Sequence, residues 1–265
     1  MGSKAPQRRP VLLCGRQVAR AVLRIPYVAL RSAYRPVAGW VATSPSTRDP
    51  HLIWYLIKTR GLREILFARC HDNYYSYPTY LPSYHGFADA LYDTLAPPSA
   101  CDFGCGCGYI IERLFDQYGV DVAGIDGSSV FLRHLSSSVA SRVQIADLSI
   151  PLRLNRVFDT VISTEVAEHL PHRKSAVFVQ NLVSAATRYI VFTAARPGQW
   201  GDGHINCRTK EYWIRRFESC GWTYDEEVTA RMKSRLQQVA DVMAPATWLY
   251  DNLMMFSRSS LKENH

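Results

Sequence analysis

The chain has 265 residues, nearly half of them apolar, which is enough for one sizeable domain or a domain with an extension. It contains no run of about 18 uninterrupted apolar residues, so the sequence offers no membrane-crossing helix. Its net charge of +8 sits on an arm: residues 1–48 hold nine Lys or Arg and no acid, against 22 basic and 23 acidic residues in the remainder. A body so near neutrality does not carry the broad basic patch expected of a nucleic-acid surface.

Within the arm, residues 11–35 read as a basic amphipathic helix. Arg16, Arg20 and Arg24 recur on one face, Leu12, Val18, Val22, Ile25 and Ala29 lie elsewhere on the wheel, and Pro26 ends or kinks it. Three roles are open: contact with an anionic membrane surface, an organellar transit peptide, or an accessory helix packed on the body. The expected location follows the same choice: cytoplasmic, with peripheral membrane contact or an organelle as alternatives. Pro6 rules out a myristoylation signal after Gly2.

Stretches 45–60 and 62–70 read as helical. A tyrosine-rich segment follows, 71–87, with Tyr74, Tyr75, Tyr77, Tyr80 and Tyr84; Pro78 and Pro82 mark it as a loop. A helical pattern resumes over 88–95. Strands are then expected at 100–103, 120–125, 142–145, 158–163 and 189–193, with helices near 109–117, 128–138, 172–185 and 209–219. Two last strands begin at 222 and 252, around a charged helical insert near 226–243. Strands alternating with helices imply an α/β fold, a parallel sheet covered on both faces. The expected organisation is a basic arm over 1–48, a helical and tyrosine-rich lid region over 49–95, and a catalytic domain over 96–265. The seven cysteines include no CxxC pair, and a reducing compartment suits them better than a disulfide framework.

The segment Asp102-Phe103-Gly104-Cys105-Gly106-Cys107-Gly108 follows a strand and opens a helix. Its alternate glycines permit a tight turn and close approach of a ligand to the backbone. The spacing is GxGxG after an acid, not the GxGxxG of dinucleotide sites. Asp102 at the strand end suits a ligand bearing an ammonium and opposes a pyrophosphate. Asp126, in Gly-Ile-Asp126-Gly127 at the end of the second strand, is placed to accept both hydroxyls of a ribose. Asp147, before Leu148 and after the third strand, is placed to accept from an adenine amine. Cys105 and Cys107 read as small side chains within the loop, because zinc sites use other spacings.

The series DFGCGCG, GIDGS, ADL and FDTVISTEVAEHL resembles class I S-adenosylmethionine-dependent methyltransferases over about residues 95–257. The resemblance implies a Rossmann-like, seven-stranded sheet whose last strand is antiparallel. It implies S-adenosylmethionine as cofactor, with Asp102 and the 104–108 loop at the methionyl part, Asp126 at the ribose, and Asp147 with Leu148 at the adenine. The candidate cofactor residues are thus Asp102, Gly104, Cys105, Gly106, Gly108, Asp126, Gly127, Asp147, Leu148 and Thr164.

The fourth strand runs into Thr164-Glu165-Val166-Ala167-Glu168-His169. If this turns helically, Glu165, Glu168 and His169 share a face at the ligand edge of the sheet. His204 lies in a glycine-rich loop at the same edge. This ExxEH with a later histidine resembles the small-RNA 3′-end 2′-O-methyltransferases and the ubiquinone-pathway O-methyltransferases. In the first group the corresponding residues hold a divalent metal, which implies Glu165, Glu168, His169 and His204 as ligands of Mg²⁺, Mn²⁺ or Zn²⁺. A metal-free site, with His169, Glu165 and His204 as catalytic candidates, and a purely structural role remain open beside it. The activity expected is O-methylation of a small molecule or glycan. An RNA 2′-O-methyltransferase using the basic arm, and a non-catalytic scaffold of the same fold, are the competing expectations.

Overall fold

A computed structural model describes residues 80–201 and 203–258. The arm, the 45–60 and 62–70 helices, Tyr74, Tyr75 and Tyr77 lie outside the described residues.

The elements follow in order as α1 (Leu81–Leu95), β1 (Ser99–Phe103), α2 (Tyr109–Tyr118), β2 (Asp121–Asp126), β3 (Val143–Ile145), β4 (Phe158–Thr164), α3 (Ser175–Ala185), β5 (Ala186–Thr193), α4 (Lys210–Glu218), β6 (Trp222–Tyr224), α5 (Glu226–Gln238), α6 (Ala240–Met243), α7 (Trp248–Asp251) and β7 (Met254–Arg258). Seven strands form one sheet in the order β3-β2-β1-β4-β5-β7-β6. β7 runs antiparallel to both its neighbours and the other pairs are parallel. This is the Rossmann-like methyltransferase architecture, with the reversed final strand that the resemblance implies.

Two apolar layers explain why the sheet is covered on both faces. On one side Phe87 and Leu91 of α1 and Ile111 and Leu114 of α2 pack with Met232 and Leu236 of α5. On the other, Phe178 and Leu182 of α3 and Trp213 and Phe217 of α4 pack with Phe192 and Phe256. Phe217 stacks on Phe256 with ring centroids 4.1 Å apart, tying α4 to the reversed strand. Among the described residues no helix is long and apolar enough to cross a membrane.

Three local expectations change. The segment from 81 is already helical: Pro82 sits in the first turn of α1, where a missing N–H costs nothing. The helix expected over 128–138 shrinks to a 3₁₀ segment, Ser129–His134, after which the Ser136 and Ser138 hydroxyls bond each other; serines compete for local bonds and weaken helix interiors. The chain after Thr164 does not turn into an α-helix. Glu165 adopts a left-handed φ of 54°, and a 3₁₀ turn, Ala167–His169, follows.

Gly124 in β2 is a packing constraint. A Cβ there would lie 2.8 Å from Cys105 Sγ and 2.9 Å from Ile111 Cδ1, which explains both the glycine and the small thiol facing it. Gly124→Ala is expected to lower stability by about 1–3 kcal/mol through overpacking, read as a drop in the urea midpoint at unchanged m-value.

Candidate active site

The glycine loop is clamped to β2 by one buried carboxylate. Asp126 Oδ2 accepts from the Gly106 N–H at 2.9 Å and Oδ1 accepts from the Ser128 N–H at 2.8 Å. The N–H groups of Gly104 and Cys105 both donate to the Ile125 carbonyl. Gly104, Gly106 and Gly108 have φ of 86°, 51° and 74°, a region that side chains rarely adopt. At Gly104 a Cβ would also collide with Val166, so the loop and the segment after β4 pack directly together.

Asp102, Gly104, Cys105, Gly106 and Thr164 line one groove with Tyr84, Cys107, Tyr109 and Ile110. Gly108 instead caps α2. Asp126, Gly127, Asp147 and Leu148 lie outside that lining. Asp147 Oδ1 accepts from the Ser149 N–H, and Leu148 is buried with its carbonyl bonded by Asn181. Tyr109, the first residue of α2, was missed in the sequence; its signal is its place directly after the last loop glycine.

Asp102 is fully buried, and its Oδ1 has no hydrogen-bond partner among the described residues. Burial, and then the charge of Asp126, push its carboxyl up to about 8. A buried acid with an unmet oxygen in a groove fits a cationic ligand group, which would restore the ionised form.

The second half of the site gathers around Glu168. It is fully buried; the main-chain N–H groups of Ile205 and Asn206 donate to its carbonyl, and Ala195 N–H donates to Oε1 at 3.2 Å. These bonds hold the loop after β5 against the 3₁₀ turn and bring His204 over. Donor atoms of Glu168, His169 and His204 all lie within 4.8 Å of one another. The two imidazoles meet edge to face at 5.0 Å. Gly201 lies against the His204 ring, where any Cβ would collide with Nε2. His204 Nδ1 is 3.2 Å from the Gln199 carbonyl. A carbonyl only accepts, so this contact places a proton on Nδ1, while Nε2 lies 4.0 Å from Glu168 Oε1.

Glu165 does not join that trio. Its N–H donates to Thr193 Oγ1, and its Oε1 accepts from Asn252 Nδ2 at 3.1 Å. A left-handed glutamate is a conformation that costs energy and collects at functional sites. Burial raises both carboxyls, and the charge of Glu165 raises Glu168 further. Asn252, Thr193 and Asn206 were not found from sequence; Asn252 lies 87 residues from Glu165 and joins it only through the reversed strand.

Residues 101–187 match the methyltransferase-domain family. The match runs from β1 into β5 and includes the glycine loop, Asp126 and the ExxEH segment, so the chain carries an enzyme's domain of the methyltransferase kind. No curated protein sequence matches the chain. Among solved structures, a magnesium protoporphyrin IX methyltransferase from Synechocystis PCC 6803 is similar at 17% identity, covering 67% of this chain and 91% of that one with a TM-score of 0.48. An amino pentose methyltransferase from Micromonospora echinaspora is similar at 14% identity, over 64% and 88% of the chains, TM-score 0.47. A likeness to an S-adenosylmethionine-dependent methyltransferase from Clostridium acetobutylicum, at 16% identity and TM-score 0.38, spans 43% of this chain and about half, 51%, of that one. Likenesses at this level say nothing about acceptor or metal.

The elevated Asp102 carboxyl has a pH consequence. Unfolded, it titrates near 3.8, and folded near 8. The folded state therefore binds more protons between these values, and stability falls as pH rises through that window. In urea unfolding, the parent is expected to lose at least about 1 kcal/mol between about pH 5 and pH 8, and Asp102→Asn to flatten the decline.

Proposed function

We propose that the chain transfers the methyl group of S-adenosylmethionine to a hydroxyl of a small molecule or glycan. The observation that carries the reading is a pair of half-sites joined by the segment that leaves β4. Thr164 lines the Asp102 groove, and Glu168 and His169 follow it in the same short segment and gather with His204. The matched methyltransferase domain covers both the loop and the ExxEH segment. The near-neutral body supports a small acceptor over RNA; the basic arm that an RNA reading needs lies outside the described residues.

In this reading Asp102 takes the ammonium of the cofactor, the backbone of the 104–108 loop approaches its methionyl part, and Asp126 offers each oxygen's second lone pair to the ribose. The acceptor oxygen attacks the sulfonium methyl in line. The C–S bond breaks toward sulfur, leaving S-adenosylhomocysteine, and the hydroxyl proton leaves to a base. His169 is the leading base, and its main-chain N–H donates to the Val166 carbonyl in the 3₁₀ turn that follows Glu165.

Glu168, His169 and His204 also fit a divalent cation. Donors on one such ion lie within about 4.4 Å of each other, given bonds of roughly 2.0–2.2 Å, so the trio needs only a small closure from its present spread. The Nδ1–carbonyl bond of His204 is the outer contact that orients a ligating imidazole. When bound, the ion would lower the pKa of an acceptor hydroxyl. Glu165 is not among the gathered donors, and its Oε1 accepts from Asn252, which supports three protein ligands rather than the four read from the sequence.

The test is calorimetric titration of S-adenosylhomocysteine, before and after chelation and with Mg²⁺, Mn²⁺ or Zn²⁺ added. Binding is expected, weakened at least about tenfold in Asp102→Asn; its absence under all conditions overturns the reading. A separate metal heat, lost in His204→Ala, is expected for the three-ligand site. Binding of the cofactor product without any metal heat would instead leave a metal-free enzyme, in which His169→Ala should cut turnover about 10²–10⁴-fold.

A further inference from the structure

Beside the reaction centre lies a cavity of about 230 Å³ at the carboxyl edge of β5 and the entry to β7. Arg196, Arg208, Lys210 and Lys233 wall it, with Asn252 at its inner end. They come from three places: the segment after β5, the start of α4 and the middle of α5. One carboxylate, Asp251, faces them. Among the described residues none of the four cations forms an ion pair.

Their other contacts are with neutral groups, and these aim the side chains. Arg196 Nε donates to Asn252 Oδ1, Arg208 Nε to Asn206 Oδ1, and Lys210 Nζ to the Tyr224 hydroxyl. Lys233 Nζ sits over the Tyr250 ring, 4.8 Å from its centroid. Each arginine keeps further guanidinium donors for a ligand. Like charges sharing one cavity raise the free energy of the empty site, and the effect reaches Lys233, whose ammonium is lowered by burial, by Lys210 and by Arg196, against the opposing charge of Asp251. In a body with nearly equal numbers of acids and bases, such a concentration is a local feature and not a general basic surface.

The cavity connects to the chemistry through one side chain. Asn252 accepts from Arg196 and donates to Glu165 Oε1 and to Gln199 Oε1. An anion in the cavity thus lies one residue from the strained glutamate beside the base candidate. The volume is below the roughly 300–1,000 Å³ of whole-ligand pockets, so it suits one group of a larger molecule whose remainder extends toward His169.

We propose that this cavity binds a phosphate group of the methyl acceptor, making the substrate a phosphorylated hydroxy compound. Four cations against one carboxylate suit a group of charge near −2 better than a single carboxylate, and guanidinium donors match its oxygens in pairs. The assignment of that phosphate to the acceptor rests on the methyl-transfer reading; the anion site rests on the cavity alone.

Inorganic phosphate, titrated calorimetrically into the full chain at low ionic strength, tests it, with acetate and a single-stranded oligonucleotide as comparisons and S-adenosylhomocysteine titrated in parallel. Saturable phosphate binding is expected, weakened about tenfold or more in Lys233→Gln and in Arg208→Gln and kept in Lys233→Arg. Affinity for S-adenosylhomocysteine should be unchanged in all three variants, and without phosphate none of them should unfold at a lower midpoint than the parent. Acetate binding as tightly as phosphate, phosphate binding indifferent to these substitutions, or binding of the oligonucleotide alone would overturn it. Cofactor-product binding without phosphate binding would sink this inference and leave methyl transfer standing; phosphate binding without cofactor-product binding would leave the anion site and overturn its assignment to a methyl acceptor.

Discussion

The site depends on a buried carboxylate that has been given two backbone donors. Asp126 sits at the end of β2, and its two oxygens hold the N–H groups of Gly106 and Ser128. Without that clamp the glycine loop has no reason to keep three left-handed glycines at alternate positions, each entropically costly to fix. With it, the loop is pinned to the strand edge, its backbone is exposed to a ligand, and Asp102 is left facing the groove with an unmet oxygen. The electrostatics follow from the same closeness, because two acids near each other in a dry setting cannot both ionise freely.

Glu168 plays the matching part in the segment after Thr164, through backbone as much as side chain. Its carbonyl accepts from two successive residues of the loop after β5, and its carboxyl accepts from Ala195. That loop thereby delivers His204 and places Arg208 toward the cationic cavity. The left-handed Glu165 is the point where β4 leaves the sheet, and Thr193 and Asn252 hold it there from two other strands' ends. One short segment therefore sets the positions of the acid pair, the imidazoles and the neighbouring cations together.

Much of the frame was legible in the residues. Apolar runs bounded by turn signals located all seven strands to within a few residues, because strands buried on both faces have little freedom in composition. The glycine spacing and Asp126 were legible because each demand is local: a tight turn needs glycine, and a carboxylate two residues from a backbone N–H forms its bond within the turn. The charged insert was legible as helix because Asp225 caps it and its apolar residues repeat at helical spacing. Errors fell where local signals disagree with packing. Pro82 was read as a breaker although it stands in a first helical turn, and the turn after Thr164 was read as α-helix although tertiary bonds impose a left-handed residue there.

The sequence by itself determined the layered sheet, the glycine loop and the acids at its edge, since these depend on hydrophobic period and on turn chemistry a few residues long. It also supplied Glu168, His169 and His204 as candidates. Only the tertiary structure decided that these three converge and that Glu165 takes a bond from Asn252. Only it showed that Arg196, Arg208, Lys210 and Lys233 share a cavity. Those outcomes depend on β7 running back between β5 and β6, which sets residues some 50–90 positions apart side by side. No local pattern records such a pairing, because its energy comes from contacts that exist only once the sheet has closed around them.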